Sequence, residues 1–98
     1  MVKTLILMTD IDERAIKIAE KPGNQDISLC LLQNAVYLAA KGKKLLDSLI
    51  GQNKKIYALE NDINLRGLNQ DLIYSEVELI DYGQVIDLVL ENENIVNY

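Results

Sequence analysis

The sequence of 98 residues contains no histidine and only one cysteine, Cys30. Without histidine, the chain cannot form a Ser-His-Asp triad, a Cys-His pair or a histidine-ligated metal site. A single cysteine also excludes an internal disulfide and a cysteine-rich metal site. We therefore expect no metal and no cofactor, and any thiol chemistry of the chain must use Cys30.

Other functional signals are missing as well. Neither Gly-x-Gly-x-x-Gly nor Gly-x-x-x-x-Gly-Lys-Ser/Thr, the glycine-rich patterns that hold nucleotide phosphates, is present. No apolar run approaches the roughly 20 residues that span a bilayer, and no small-residue cleavage site follows the apolar N-terminus. The formal net charge of −5 argues against general affinity for nucleic acid or anionic membranes. These features predict a cytoplasmic protein without membrane contact or direct nucleic-acid binding.

The sequence is organised around residues 26–36, an almost continuous apolar run that ends in two amide side chains. A strand that is apolar on both faces must be covered on both faces, as in the centre of a parallel sheet. Gln33 and Asn34 end the run, and Asn34 is well suited to cap a helix that starts at Ala35. Because ligands of open α/β sheets bind at the carboxyl ends of the strands, this junction is a candidate site.

The apolar patterns predict one domain, residues 1–98, in which strands and helices alternate. Strands are expected over 2–8, 26–32, 55–59 and 77–80. Helices are expected over 12–21, 34–51, 62–66 and 82–92. Thr9 and Asp10 should cap the first helix, and Pro22-Gly23 should stop it. The second helix should kink at Gly42, Gly67 should end the third as its C′ residue, and Asp81 should cap the fourth. This alternation predicts a parallel sheet with helices on both faces and right-handed crossovers, for which we expect the strand order 2-1-3-4.

Two further expectations concern the C-terminal part. The helix over 82–92 should bury Val85, Ile86, Val89 and Leu90. The β-prone residues 95–98 should dock on a sheet edge or on a neighbouring chain.

Three groups of residues have both a structural and a functional interpretation. Asp10, Asp12 and Asp62 resemble the acidic pocket of a phosphorylation receiver domain, but helix capping explains them better, since no fifth strand carries a lysine. Cys30 would need an exposed thiolate to carry sulfur, whereas its position within an apolar strand favours burial. A basic cluster consists of Lys41, Lys43, Lys44, Lys54 and Lys55. It could be a docking site for an acidic partner or for RNA, but we favour a solvated helix end.

Asp62 and Arg66 are four residues apart, so they can pair on one helical turn. Arg66 would then lie at the carboxyl edge of the sheet, close to Gln33 and Asn34. Spacing alone does not distinguish a functional group of residues from an ordinary surface ion pair.

Three segments together resemble the DsrH/TusB family. Residues 31–39, which contain Gln33-Asn34-Ala35-Val36, are similar to its Gln-Asn/Asp-Gly-Val motif. Residues 56–68 resemble its Tyr-Ala-Leu…Asp-Leu-x-Ala-Arg-Gly segment. Residues 79–88 are similar to its Ile-Asp-Tyr-x-x-Phe-Val-x-Leu segment.

This resemblance implies a three-layer α/β/α Rossmann-like fold of the DsrE/DsrF/DsrH superfamily, with a mostly parallel sheet of four or five strands. It also implies a non-catalytic subunit of a cytoplasmic sulfur-relay complex that supports 2-thiolation of the tRNA wobble uridine, while a related branch serves sulfur oxidation. The partners would be DsrE/TusD-like and DsrF/TusC-like subunits, and the main sulfur-carrying cysteine would lie on another subunit.

The motif positions give the candidate interface and edge residues, which are Gln33, Asn34, Asp62, Arg66, Gly67 and Tyr82. Ala35 replaces the usual glycine and Leu65 the usual alanine. The cysteine that some members carry in the first helix is absent here, so no cysteine function transfers to Cys30. Two alternatives stay open: a sulfur carrier that uses Cys30 as its persulfide site, and a stand-alone homo-oligomeric binding module.

Overall fold

The strands and helices follow one another in the predicted alternation. The computed structural model describes residues 3–21, 26–41 and 44–98. The strands are β1 (Thr4–Met8), β2 (Ile27–Leu31), β3 (Lys55–Leu59), β4 (Val77–Ile80) and β5 (Asn94–Asn97). The α-helices are α1 (Glu13–Glu20), α2 (Asp47–Gly51), α3 (Glu60–Leu65) and α4 (Tyr82–Glu91), and two 3₁₀ segments cover Gln33–Ala39 and Gln70–Leu72. The expected helix stop at Pro22-Gly23, the kink at Gly42 and the side chain of Lys43 lie outside the described residues.

All five strands are parallel and form one sheet in the order β4-β3-β2-β1-β5. The fold class is therefore α/β, as predicted, but the expected strand order 2-1-3-4 is wrong. β3 pairs with β2 instead of β1, and the C-terminal residues form β5 on the side of β1 that the predicted order gave to β3. The expectation that these residues dock on a sheet edge is confirmed.

This strand order determines which helices share a face of the sheet. From β1 to β4 the chain advances in one direction, so right-handed crossovers place α1, the first 3₁₀ segment, α2 and α3 on the same face. The connection from β4 to β5 runs back in the other direction, which places α4 on the opposite face. The two cores agree with this arrangement: a large one contains side chains from the first group of helices, and a small one of Leu5, Cys30 and Ile80 lies with α4.

The helices depart from the predictions in several places. The helix expected over 34–51 is instead the 3₁₀ segment Gln33–Ala39 and a separate α2, and α3 already begins at Glu60 rather than at residue 62. Asp12, rather than Thr9 or Asp10, caps α1, and its carboxylate accepts the backbone amide of Arg14 at 2.9 Å. Asn34 does not cap the segment after β2, because this segment is a 3₁₀ helix that already begins at Gln33. Asp81 caps α4 as predicted, in a capping box with Gln84.

The packing of α4 was predicted only in part. Val85 and Val89 pack against the small core, together with Leu88. Ile86 and Leu90 were expected to be buried, but they are exposed. The reason is that α4 is the only α-helix described on its face of the sheet, so no neighbouring helix covers its flank.

Candidate functional site

The end of β2 is connected to α3 by a network of three side chains and one backbone amide. The Asp62 carboxylate accepts the backbone N–H of Gln33 at 2.7 Å through Oδ2. Its Oδ1 lies 3.4 Å from Nη1 of Arg66. The Nε and Nη2 groups of Arg66 each donate to Oδ1 of Asn34 at 3.2 Å. The predicted pairing of Asp62 with Arg66 is therefore confirmed, and Gln33 and Asn34 lie beside the pair.

Local backbone conformation explains why the network forms here. Gln33 has a φ of 51°, in the left-handed region that non-glycine residues rarely adopt. This conformation turns the chain sharply at the end of β2. The hydrogen bond from the Gln33 amide to the Asp62 carboxylate holds the turn in place. Gly67 has a φ of 68° just after α3, which confirms that it is the C′ residue. Asp62 is only 7% exposed, so its charge is held by the guanidinium and the amide with little help from water.

Tyr82, the remaining candidate, does not belong to this network. It lies at the start of α4 and lines an open cleft of about 510 Å³ between the carboxyl ends of β3 and β4. The other lining residues are Leu59, Glu60, Asn61, Asn64, Leu79, Ile80, Asp81 and Gln84. The helices that follow β3 and β4 leave to opposite faces of the sheet, which is the type of crevice where open α/β sheets bind ligands.

The sequence did not single out Glu60, Asn61 and Asn64 for this cleft. Their signal is a polar run directly after a buried strand. The location of the cleft depends on the strand order, because only this order sends the helices that follow β3 and β4 to opposite faces of the sheet.

The only thiol lies away from the polar groups just described. Cys30 has no exposed surface, and it faces Leu5 and Ile80 in the small core with α4. Burial raises the pKa of the Cys30 thiol to about 11, so that it stays protonated at neutral pH. The prediction that Cys30 is buried is confirmed.

The remaining sequence candidates divide as follows. Lys54 is buried, which contradicts its assignment to a solvated helix end, whereas Lys41, Lys44 and Lys55 are exposed. Asp12 caps α1 through the amide of Arg14, as the capping interpretation predicted, whereas Asp10 accepts only from the amide of the adjacent Ile11 and caps no helix. Within residues 3–21, 26–41 and 44–98, no group of acidic or cysteine side chains has a geometry that could hold a metal ion. Over the same ranges, every helix is too short or too polar to cross a bilayer.

These features define a small Rossmann-like α/β protein with a polar network and a cleft at the carboxyl edge of its sheet and its thiol in the core. The solved structure of the YchN protein from E. coli has this fold, with a TM-score of 0.83 over 100% of both chains at 20% identity. So does MTH1491 from Methanobacterium thermoautotrophicum, with a TM-score of 0.77 over 100% of both chains at 14% identity. At these identities the similarity concerns the fold alone.

Sequence similarity identifies the family. The family model described as "DsrH like protein" matches residues 13–95. Protein TusB of Buchnera aphidicola subsp. Baizongia pistaciae is 30% identical over 70 residues, which cover 71% of this chain and 73% of that protein. Protein TusB of Salmonella arizonae is 36% identical over 67 residues, 68% of this chain and 70% of that protein. The chain belongs to the DsrH family.

Proposed function

We propose that the chain is a non-catalytic subunit of a cytoplasmic sulfur-relay complex that supports 2-thiolation of the wobble uridine in tRNA. Its partners are DsrE/TusD-like and DsrF/TusC-like subunits. Membership of the DsrH family and the similarity to two proteins named TusB support the pathway.

The burial of Cys30 is the observation that supports a non-catalytic role. A sulfur carrier needs a thiolate that a donor and an acceptor can both reach. Cys30 is fully enclosed by apolar side chains, and its raised pKa keeps the proton on sulfur. Since the sequence has no other cysteine, the reactive sulfur belongs to a partner subunit.

Deletion and complementation in the host test this function. We expect deletion of the gene to remove 2-thiouridine from hydrolysed tRNA, as measured by mass spectrometry. Both the wild-type gene and a Cys30→Ala variant should restore it. Unchanged 2-thiouridine in the deletion strain, with a defect in sulfur oxidation instead, would assign the chain to that branch.

The complementation also tests the role of Cys30 as a carrier. If Cys30→Ala forms the complex at the wild-type level and still fails to restore 2-thiouridine, the subunit carries sulfur itself. Co-expression with the two homologous subunits from the same genome should give a complex that stays together in gel filtration. If the chain elutes alone or as a homo-oligomer, it acts as a stand-alone module.

A further inference from the structure

Three large side chains form an exposed stripe along α4. Tyr82, Ile86 and Leu90 are spaced four residues apart, which places them on one side of the helix. They are 60%, 60% and 78% exposed. Single exposed apolar residues are ordinary on protein surfaces, but three neighbours on one helix form a continuous patch. Such patches mark surfaces that bind a partner.

The charged residues of α4 and its N-cap have a single sign, since Asp81, Asp87 and Glu91 are all acidic. After Arg66 the sequence contains no lysine or arginine, but it contains seven of the 15 acidic residues. These residues are Asp71, Glu76, Glu78, Asp81, Asp87, Glu91 and Glu93. Asp87 and Glu91 directly follow Ile86 and Leu90, so each lies about 100° around the helix from a residue of the stripe. Lys3 and Lys55 lie near the C-terminal end of α4, where they line a cavity with Leu88 and Glu91. Negative charge without a neighbouring cation is therefore found at the Tyr82 end of the stripe, where Glu60 and Asp81 line the cleft.

We propose that the α4 stripe docks a homologous relay subunit whose contact surface is apolar and flanked by lysine or arginine. The inference rests on the proposed function and names the surface by which the chain enters the complex. Opposite charges across an interface steer association and select the partner. A two-fold contact between two copies of this face would instead bring acidic residues against acidic residues. The same residues repel the phosphates of RNA.

The cleft at the carboxyl edge extends this docking surface, because Tyr82 belongs to both the stripe and the cleft. Among the described residues, those that line the cleft include the carboxylates of Glu60 and Asp81 and no basic side chain. The ring face of Tyr82 offers a further favourable contact to a cation. A lysine or arginine from the rim of the partner therefore fits the cleft beside Tyr82.

Titration of the purified chain against the purified pair of DsrE-like and DsrF-like subunits tests the apolar part. We expect the double variant Ile86→Ser/Leu90→Ser to bind about tenfold more weakly or worse, as for the anchor residues of other interfaces. Leu72→Ser is the matched control, since Leu72 is also 60% exposed but lies outside α4. Because all three side chains are exposed, these variants should keep the wild-type circular dichroism and melting temperature.

The charge part is tested with Asp87→Asn/Glu91→Gln, which keeps the shape of both side chains. This variant should bind more weakly at low salt, and its affinity should fall less steeply as salt is added. Glu13→Gln on α1, on the other face of the sheet, should retain the wild-type salt dependence.

The outcomes separate this inference from the proposed function. If the wild-type chain binds neither relay subunit, the proposed function fails and the docking surface fails with it. If the wild-type chain binds and both α4 variants bind equally well, only the docking surface is wrong. A homodimer of the isolated chain that Ile86→Ser/Leu90→Ser dissociates would also overturn it, since a second copy would then occupy the stripe.

Discussion

The Asp62 carboxylate accepts a hydrogen bond of 2.7 Å from the backbone amide of Gln33, which ties α3 to the end of β2. The same carboxylate lies 3.4 Å from the Arg66 guanidinium. One buried acid therefore holds both a strained turn and a cation at the carboxyl edge of the sheet.

Asp62→Ala should lower the free energy of unfolding by about 2–4 kcal/mol, because it leaves the Gln33 amide without its acceptor and removes the carboxylate that faces the Arg66 guanidinium. Asp62→Asn should cost less, since its amide oxygen can still accept from Gln33. Urea denaturation followed by circular dichroism measures both values. Asp71→Ala is the control, because Asp71 is exposed, and its effect should stay within about 0.5 kcal/mol. An effect of Asp62→Ala no larger than that of the control would show that the network does not stabilise the fold.

Gln33→Gly should leave the free energy of unfolding unchanged or raise it by up to about 1 kcal/mol, because glycine adopts the left-handed conformation without steric cost. Gln33→Val should lower it by roughly 1–2 kcal/mol, since a β-branched side chain is disfavoured there. Both variants keep the backbone N–H that Asp62 accepts. The same urea titration compares them, and equal stabilities would mean that the turn is relaxed.

Arg66 and Asn34 should be energetically coupled, because two guanidinium nitrogens donate to one Asn34 oxygen. A double-mutant cycle of Arg66→Ala and Asn34→Ala should give a coupling of about 0.5–1.5 kcal/mol. Arg66→Ala alone should cost more than Asn34→Ala alone, since it also removes the cation that faces Asp62. Additive losses would indicate that the contact is too weak to matter.

Stability should fall as the pH rises from about 9 to about 11, because of Cys30. The pKa of its thiol is 9.0 in the absence of burial and about 11 in the folded chain. In this window the unfolded chain loses the proton while the folded chain keeps it, so unfolding becomes more favourable with pH. Cys30→Ala should remove this contribution, which urea titrations at pH 8, 9, 10 and 11 would measure. Since Tyr74 also has its pKa raised, to about 12 by the hydrogen bond to Asp47, Tyr74→Phe serves as a separate reference.

Interactions between residues close in sequence were predicted well. The cap of α4 at Asp81, the role of Gly67 as the C′ residue and the pairing of Asp62 with Arg66 depend on neighbours within four residues. The cap of α1 is the local exception, because Asp12 provides it in place of Thr9 or Asp10. The apolar run around Cys30 predicted burial for a similar reason, because a strand without polar side chains must be covered on both faces.

Features that depend on distant segments were predicted less well. Asn34 was expected to act as a helix cap, but its side chain contacts Arg66, which is 32 residues away along the chain. Ile86 and Leu90 follow the periodicity of a buried helix face, yet their exposure depends on which helices share that side of the sheet. The cleft between β3 and β4 could not be located from the sequence, because its position depends on the order of the strands across the sheet.

The sequence by itself determined the alternation of strands and helices, the parallel sheet, the buried thiol, the end of α3 and the start of α4. These follow from side-chain periodicity and from hydrogen bonds within a few residues, which the order of amino acids specifies directly. Only the tertiary structure decided that β5 pairs with β1 and that α4 lies on the opposite face of the sheet from the other α-helices. Strand pairing joins residues up to 90 positions apart in sequence, from Thr4 with Asn94 to Leu7 with Asn97. Its energy depends on packing that no local pattern contains.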